Sequence, residues 1–117
     1  MTDFIMVGLG GALGSILRYA ISLIPDKHIF PVMTFITNIC GAILIGYVSG
    51  IALKRNVSGY AVLFLKTGLC GGFTTFSTFS LEAYSLFQNG SYGYAVLYVL
   101  LSFTGCLAGV WLGMKLS

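Results

Sequence analysis

The sequence predicts an all-α membrane protein of four transmembrane helices, the third of which is broken. Hydrophobic residues make up 57% of the 117 residues and charged residues 8%, whereas a soluble domain carries about 25% charged residues. Four apolar segments reach the roughly 20 residues that a helix needs to cross a bilayer. They run over residues 4–24, 30–53, 60–87 and 92–114, and we expect them to form a single domain.

Short polar connections separate these segments. The first contains Pro25-Asp26-Lys27 and Pro31, the second Lys54-Arg55-Asn56, and the third Gln88-Asn89-Gly90-Ser91. Proline, asparagine and glycine at such positions are typical of turns and helix ends. Because each connection has only a few residues, we expect neighbouring helices to run antiparallel.

The third segment is longer than a straight crossing requires, and its composition indicates an interruption. Residues 67–80, TGLCGGFTTFSTFS, carry three glycines and six hydroxyl side chains inside an apolar span. Glycine weakens a helix by about 1 kcal/mol per residue. We therefore predict a break at Gly71-Gly72. Such a break would free backbone carbonyls and amides, which half-helix ends in membranes use to bind ions.

Beyond the predicted break, aromatic and hydroxyl side chains fall on one helix face. Phe76 and Phe79 are three residues apart and share this face with Ser80. The edge of an aromatic ring is electron-poor, so two ring edges beside hydroxyl donors favour a small anion. Taken singly, each of these residues also fits simple packing, with hydroxyls bonded to their own helix and phenylalanines facing lipid.

Two further polar residues lie inside the first and second segments, where polar groups are costly and often functional. Arg18 lies in the last third of the first segment, where it could extend towards the membrane surface or attract anions to a vestibule. Asn38 follows Thr34 by one turn, and its side chain can donate two hydrogen bonds. Asn38 could serve helix packing or an anion, and we favour the anion.

The fourth segment carries a stripe of polar and small residues. Tyr98, Ser102 and Cys106 are spaced by four residues and are expected to face protein.

Glu82 of the third segment is the only carboxylate inside an apolar segment. It lies near the end of that segment, which is an unfavourable position for a proton carrier.

Glycine spacing predicts how the helices meet. Pairs of glycines four residues apart allow two helix backbones to approach closely. Every segment contains at least one such pair: Gly10-Gly14, Gly46-Gly50, Gly68-Gly72, Gly105-Gly109 and Gly109-Gly113. Four small, tightly packed helices enclose little space, so we expect the pathway to form between the subunits of a dimer.

The sequence offers no support for an enzyme or a nucleic-acid-binding protein. The three cysteines lie in different apolar segments without metal-ligand spacing, and no catalytic triad is present. With so few charges, the net charge of +3 bears on membrane topology and not on nucleic acid.

Taken together, these motifs resemble the small bacterial fluoride channels of the Fluc or CrcB family. The resemblance covers all four segments and includes GGALGSILRY (residues 10–19), TNICGAILIG (37–46) and KTGLCGGFTTFSTFSLE (66–82). It implies a multi-pass protein of the bacterial cell membrane that forms an antiparallel, dual-topology dimer. It also implies two fluoride pores and one structural sodium ion at the two-fold centre.

The resemblance assigns roles to particular residues. The backbone carbonyls of Gly71 and Thr74 in both subunits would hold the sodium ion. The remaining matches belong to the fluoride path: Phe76 and Phe79 by their ring edges, Asn38 as a donor, Ser80 and Ser102 in a polar track, and Arg18 near the entrance.

Two features depart from the family pattern. Cys106 stands where relatives often have serine, which affects one end of the polar track. The basic residues Lys54, Arg55 and Lys115 concentrate on one side of the membrane, which fits poorly with insertion in both orientations. The resemblance implies a homodimer, and because of this charge bias a heterodimer with a paralogous chain stays open.

Two other functions compete with a fluoride channel. Proton-coupled exporters of the small multidrug resistance type are also four-helix antiparallel dimers, but they depend on a carboxylate in the first span, which this chain lacks. A purely structural subunit would not need Asn38, Phe76, Phe79 and Ser80 close together.

Overall fold

The computed structural model describes residues 1–117 and is entirely helical, as the sequence predicts. Each predicted apolar segment forms a helix or a series of helical pieces. Three helices are long and apolar enough to cross a membrane without interruption: α1 (Thr2–Ser22), α2 (Val32–Lys54) and α6 (Tyr92–Leu116). The third segment forms the remaining elements.

The third segment is interrupted, and it changes helix type along its length. It begins with α3 (Gly59–Val62), continues as a π-helical segment (Leu63–Cys70), and returns to α-helix in α4 (Gly71–Phe73). After two extended residues, α5 (Phe76–Gln88) completes it. π-Helical turns are rare and are found frequently at functional sites. No pattern in the sequence predicted this π-helical segment.

The predicted position of the break is wrong by three residues. Gly71 has ordinary helical angles (φ −62°, ψ −38°), and the chain becomes extended at Thr74 (φ −87°, ψ 154°) and Thr75 (φ −148°, ψ 120°). Gly72 serves close packing instead, because a Cβ atom built on it would lie 2.5 Å from the carbonyl oxygen of Gly11. Gly72 therefore marks a helix contact beside the break, whereas a Cβ atom at Gly71 would meet nothing within 4 Å.

The helices pack as two parallel pairs. Helix α1 packs along the π-helical segment and α4, with Gly10 beside Gly68 and Gly14 beside Gly72. Helix α2 packs along α6 in the same way, through the glycines of both helices. The predicted glycine pairs thus bring helices together within one chain. Consecutive spans run antiparallel, so each parallel pair joins alternate spans.

A small core lies where α5 meets α6. Tyr98 and Ala95 are fully buried there, together with Ala83 and Leu86 of α5. Phe79 also packs against this cluster. The burial of Tyr98 and Ser102 confirms that the polar stripe of the fourth segment faces protein.

Replacement of Gly14 by alanine is expected to destabilise the chain. A Cβ atom at Gly14 would overlap the carbonyl oxygen of Leu69 and lie 2.8 Å from the amide nitrogen of Phe73. Overpacking of this kind costs about 1–3 kcal/mol, so Gly14→Ala should lower the unfolding temperature of the purified protein in detergent. Gly8→Ala is the matched control on the same helix, since a Cβ atom there meets nothing within 4 Å. Equal stability of the two variants would contradict backbone contact at Gly14.

Candidate functional site

The break between α4 and α5 is stabilised by Asn38, a side chain of α2. The Asn38 Nδ2 atom donates to the carbonyl oxygen of Thr75 at 3.1 Å, and the Thr75 amide donates to Asn38 Oδ1 at 2.9 Å. The asparagine therefore pairs with both backbone groups of one extended residue. Of the two interpretations of Asn38, helix packing accounts for these two bonds. One N–H of its amide group lies outside them and is available to another acceptor.

Helix α1 reaches the same break through Arg18. Its Nε atom donates to the carbonyl oxygen of Gly72 at 3.0 Å, between residues that are 54 positions apart in the chain. In an uninterrupted helix this carbonyl would accept from the Phe76 amide, which lies beyond the break. Arg18 thus replaces a missing backbone donor, a role that neither sequence interpretation of this residue included.

Thr75 closes the start of α5. Its Oγ1 atom accepts from the Thr78 amide at 3.1 Å, which is the usual arrangement of a helix N-cap. On the other side of the break, Thr74 Oγ1 donates to the carbonyl oxygen of Cys70 at 2.8 Å. Threonine hydroxyls therefore terminate both helix pieces. The sequence analysis did not assign a role to Thr75, although a threonine directly before an amphipathic helical segment is a recognised N-cap signal.

The hydrogen bonds of Asn38 and Thr75 leave the carbonyl groups of Gly71 and Thr74 without the amide donors that they would have in a continuous helix. The Thr75 amide, the helical partner of the Gly71 carbonyl, donates to Asn38. The Thr78 amide, the helical partner of the Thr74 carbonyl, donates to the Thr75 side chain. Gly71 is exposed, and a Cβ atom there would meet nothing within 4 Å. Free carbonyl oxygens on an open side are suitable ligands for a hard cation such as sodium.

No group of three or more His, Cys, Asp or Glu side chains in the chain could hold a metal ion. The three cysteines are free thiols and form no disulfide: Cys70 is buried, Cys106 is partly buried and Cys40 is exposed. Backbone oxygen is therefore the donor type that the region of the break offers to a cation.

The phenylalanines predicted to bind an anion come together at the start of α5. The rings of Phe76 and Phe79 have centroids 5.5 Å apart and planes inclined by 44°. Phe79 also contacts Tyr98 of α6, with centroids 5.0 Å apart. Phe76 is 79% exposed, so most of its ring is uncovered in the single chain, whereas Phe79 packs against Tyr98.

Ser102 is the most unusual polar group beside these rings. Its residue is 6% exposed, and its hydroxyl has no hydrogen-bond partner. A buried hydroxyl without a partner costs about 1–3 kcal/mol, and such groups often serve a ligand. Ser102 lines an open cavity of about 460 Å³ together with Asn38, Phe76, Phe79 and Cys106.

Ser80, which is predicted to belong to the polar track, makes a hydrogen bond within its own helix. Its hydroxyl donates to the carbonyl oxygen of Phe76 at 2.8 Å within α5. Because a serine hydroxyl has one proton, this bond uses the only donor that Ser80 could offer to an anion. Ser102 therefore borders the cavity with a buried, unpaired hydroxyl, whereas Ser80 does not line it.

A second open cavity, of about 270 Å³, lies against the break. Asn38, Thr74, Thr75 and Phe76 line it from one side, and Cys106 lines it from α6. The break therefore opens to the same face of the molecule as the two rings. Cys106 borders both cavities, so the departure from the family pattern falls within the candidate site.

Glu82 borders a separate cavity, of about 530 Å³, near the loop between α1 and α2. It accepts a hydrogen bond from the Tyr98 hydroxyl at 3.3 Å. Asp26 and His28 line the opposite side of this cavity. Hydrogen bonds from the backbone and ring of His28 hold the pKa of Asp26 below its usual value, so this carboxylate stays charged at neutral pH.

The fold and site together define a class of protein. Three uninterrupted apolar helices and a broken fourth span describe a multi-pass membrane protein. Half-helix ends, aromatic rings and an unpaired hydroxyl around membrane-embedded cavities are features of sites that handle ions.

Comparison with known proteins identifies the family within this class. A family model described as "CrcB-like protein, Camphor Resistance (CrcB)" matches residues 5–114. The chain therefore belongs to the CrcB family, as its resemblance in sequence indicates.

Curated relatives of nearly the same length match the whole chain. A protein of Flavobacterium psychrophilum is 46% identical over 100% of this chain and 98% of its own length. One of Azobacteroides pseudotrichonymphae is 43% identical over 96% of this chain and 93% of its own. One of Desulfotalea psychrophila is 47% identical over 97% and 90%, respectively. All three bear the name "Fluoride-specific ion channel FluC".

Replacement of Asn38 by leucine is expected to destabilise the break. The substitution removes both hydrogen bonds to Thr75 and leaves its amide and carbonyl without these partners. An unsatisfied buried polar group costs about 1–3 kcal/mol. Thermal unfolding should show the loss, and hydrogen exchange of the Thr75 amide should become faster. Thr37→Val is the matched control, since the Thr37 hydroxyl bonds only Met33 of its own helix. Unchanged exchange in Asn38→Leu would contradict the structural role of Asn38.

Proposed function

We propose that this chain forms a fluoride-selective channel that allows passive, electrogenic efflux of fluoride and thereby confers fluoride resistance. Membership of the CrcB family and three relatives named as fluoride-specific channels support this function. The observation in the structure that carries it is the unpaired, buried Ser102 hydroxyl beside the rings of Phe76 and Phe79. An anion in this cavity would supply the acceptor that the hydroxyl lacks.

The chemistry of the cavity suits a small, strongly hydrated anion. Fluoride loses its water only where donors replace it, and here the donors are the Ser102 hydroxyl, the remaining Asn38 N–H and the positive ring edges. Phe79 is fixed against Tyr98, so at least one ring is pre-oriented. Chloride is larger and gains less from each donor, so a pore narrow enough to replace the water of fluoride would exclude it.

Such a channel would be useful because hydrogen fluoride crosses membranes as a neutral molecule and dissociates inside the cell. The trapped anion then needs an exit of its own. The membrane potential, negative inside, is sufficient to drive fluoride outwards, and no carboxylate has to carry a proton.

We further propose that the channel is a dimer. The extended residues Thr74 and Thr75 lie beside a cavity that is open in the single chain. Irregular backbone at this depth is tolerated only where protein or water covers it, and Phe76 is 79% exposed on the same side. A second copy would cover both features. An antiparallel arrangement would set the two breaks against each other around a two-fold axis.

The proposed dimer would also complete a sodium site. The carbonyls of Gly71 and Thr74 in one chain provide two oxygen ligands, and the same pair in its partner would provide two more. A cation bound there would neutralise the negative ends of the carbonyl dipoles and tie the two breaks together. Oxygen ligands without side-chain charge suit a monovalent hard cation.

A proton-coupled exporter is the main alternative. Helix α1 carries no acid except Asp3 in its first turn, and Glu82 is engaged by the Tyr98 hydroxyl at 3.3 Å. Membership of the CrcB family also favours the channel. Fluoride efflux that depends on a proton gradient would be the result that favours the exporter.

Reconstitution of the chain alone into liposomes should produce fluoride efflux that depends on a potassium shunt. With internal potassium fluoride, valinomycin allows potassium to follow and should permit rapid efflux, recorded with a fluoride electrode. Without valinomycin, charge separation should stop the efflux. Efflux that needs a proton gradient instead would indicate an exporter. If the chain alone is inactive, addition of a paralogue from the same genome tests a heterodimer.

Replacement of Phe79 by isoleucine is expected to reduce fluoride efflux at least tenfold, because the aliphatic side chain fills similar space but has no polarised ring edge. Phe87→Ile is the matched control, since Phe87 lies near the end of α5 and contacts Tyr92 outside the cavity. Glu82→Gln should keep efflux in the channel and abolish it in a proton-driven exporter. Wild-type efflux in Phe79→Ile would argue against the proposed path.

A further inference from the structure

Arg18 is a charged residue in a membrane-spanning helix without an acidic partner. The one ion pair in the structure joins His28 and Asp26 in the loop after α1. Arg18 is partly buried, and its one hydrogen bond goes to the Gly72 carbonyl. A charged side chain is costly to place in a membrane, and the only hydrogen bond of Arg18 goes to one backbone oxygen at the break.

The position of Arg18 on α1 explains how it reaches this oxygen. Gly11 lies two turns earlier on the same face of α1 and is in backbone contact with Gly72. Gly14, one turn before Arg18, lies against the backbone of Gly72 and Phe73. The glycines bring α1 so close to α4 that the arginine side chain can bond the last turn before the break.

The Gly72 carbonyl lies between the two carbonyls of the proposed sodium site. Gly71 and Thr74 are left without helical donors by the bonds of Asn38 and Thr75. Gly72 has also lost its helical donor, but Arg18 supplies another at 3.0 Å. Of these three carbonyls, one is therefore bound to α1 and two are free. Neither Gly71 nor Gly72 has a side chain that could fix its own peptide plane.

We propose that Arg18 is a positioning residue for the cation site: by binding the Gly72 carbonyl, it fixes the peptide planes at the break so that the Gly71 and Thr74 carbonyls point to the cation. This inference rests on the proposed sodium site. It assigns Arg18 to the architecture of the break and not to the attraction of anions at an entrance.

The two roles make different demands on the side chain. Attraction of anions needs a positive charge, which lysine also provides. Fixing the Gly72 peptide needs the planar guanidinium and its directed Nε–H, which lysine lacks. A charge effect on the cation would also have a different sign, because removal of a nearby positive charge would strengthen cation binding.

The experiment measures sodium binding to the full-length, purified chain by its unfolding temperature. Sodium is titrated against N-methylglucamine at constant ionic strength, in the wild type and in Arg18→Lys, Arg18→Gln and Lys66→Gln. Lys66 is an exposed cation of the π-helical segment and serves as the matched control. Fluoride efflux is then recorded at low and at saturating sodium for each variant.

We expect Arg18→Lys and Arg18→Gln to raise the sodium concentration at half-maximal stabilisation about tenfold, which corresponds to the loss of one hydrogen bond from a charged donor. Lys66→Gln should keep the wild-type value. Saturating sodium should restore efflux in Arg18→Lys, with an unchanged preference for fluoride over chloride. If Arg18→Gln does not fold, the lysine variant alone decides the result.

Three results would overturn the inference. A wild-type sodium midpoint in Arg18→Lys would assign the arginine to charge alone. Tighter sodium binding in Arg18→Gln would show that its charge opposes the cation. If sodium does not change the unfolding temperature of the wild type, the proposed sodium site itself is wrong. This result comes from the wild type alone, so it is distinguished from a failure of the role proposed for Arg18.

Discussion

The double hydrogen bond between Asn38 and Thr75 is the interaction on which the site depends. An extended residue inside a membrane has an amide and a carbonyl that neither helix piece can satisfy, and leaving them unpaired costs several kcal/mol. One asparagine from α2 satisfies both. By taking the Thr75 amide, it also frees the Gly71 carbonyl. The same contact therefore stabilises the break and creates the features that a bound ion can use.

The packing of the helices brings the partners of the break into place. Glycines on α1 allow backbone contact with α4, and Arg18 reaches the Gly72 carbonyl from that contact. The parallel pairing of α2 and α6 sets Asn38 and Ser102 around one cavity. The first, second and fourth spans thus all contribute side chains around the third span, and small residues let the helix backbones come close enough for these contacts.

The same arrangement accounts for the proposed permeation of an anion beside a cation site. The ring pair of Phe76 and Phe79 begins directly after the break, where α5 starts. The freed carbonyls lie directly before it. Electropositive groups for an anion and electronegative groups for a cation therefore lie on the two sides of one break and do not have to share ligands.

The helical fold, the broken third span and the residue types of the site could be predicted from the sequence, because apolar length, glycine content and clustered hydroxyls are local patterns. The position of the break and the identity of the free backbone groups depend on how the helices pack. Gly71 and Gly72 are helical, with α1 packed against Gly72, and the chain becomes extended only at Thr74 and Thr75, where Asn38 satisfies both backbone groups of Thr75. Hydrogen bonds between residues far apart in the chain leave no local pattern, so these assignments required the packed helices.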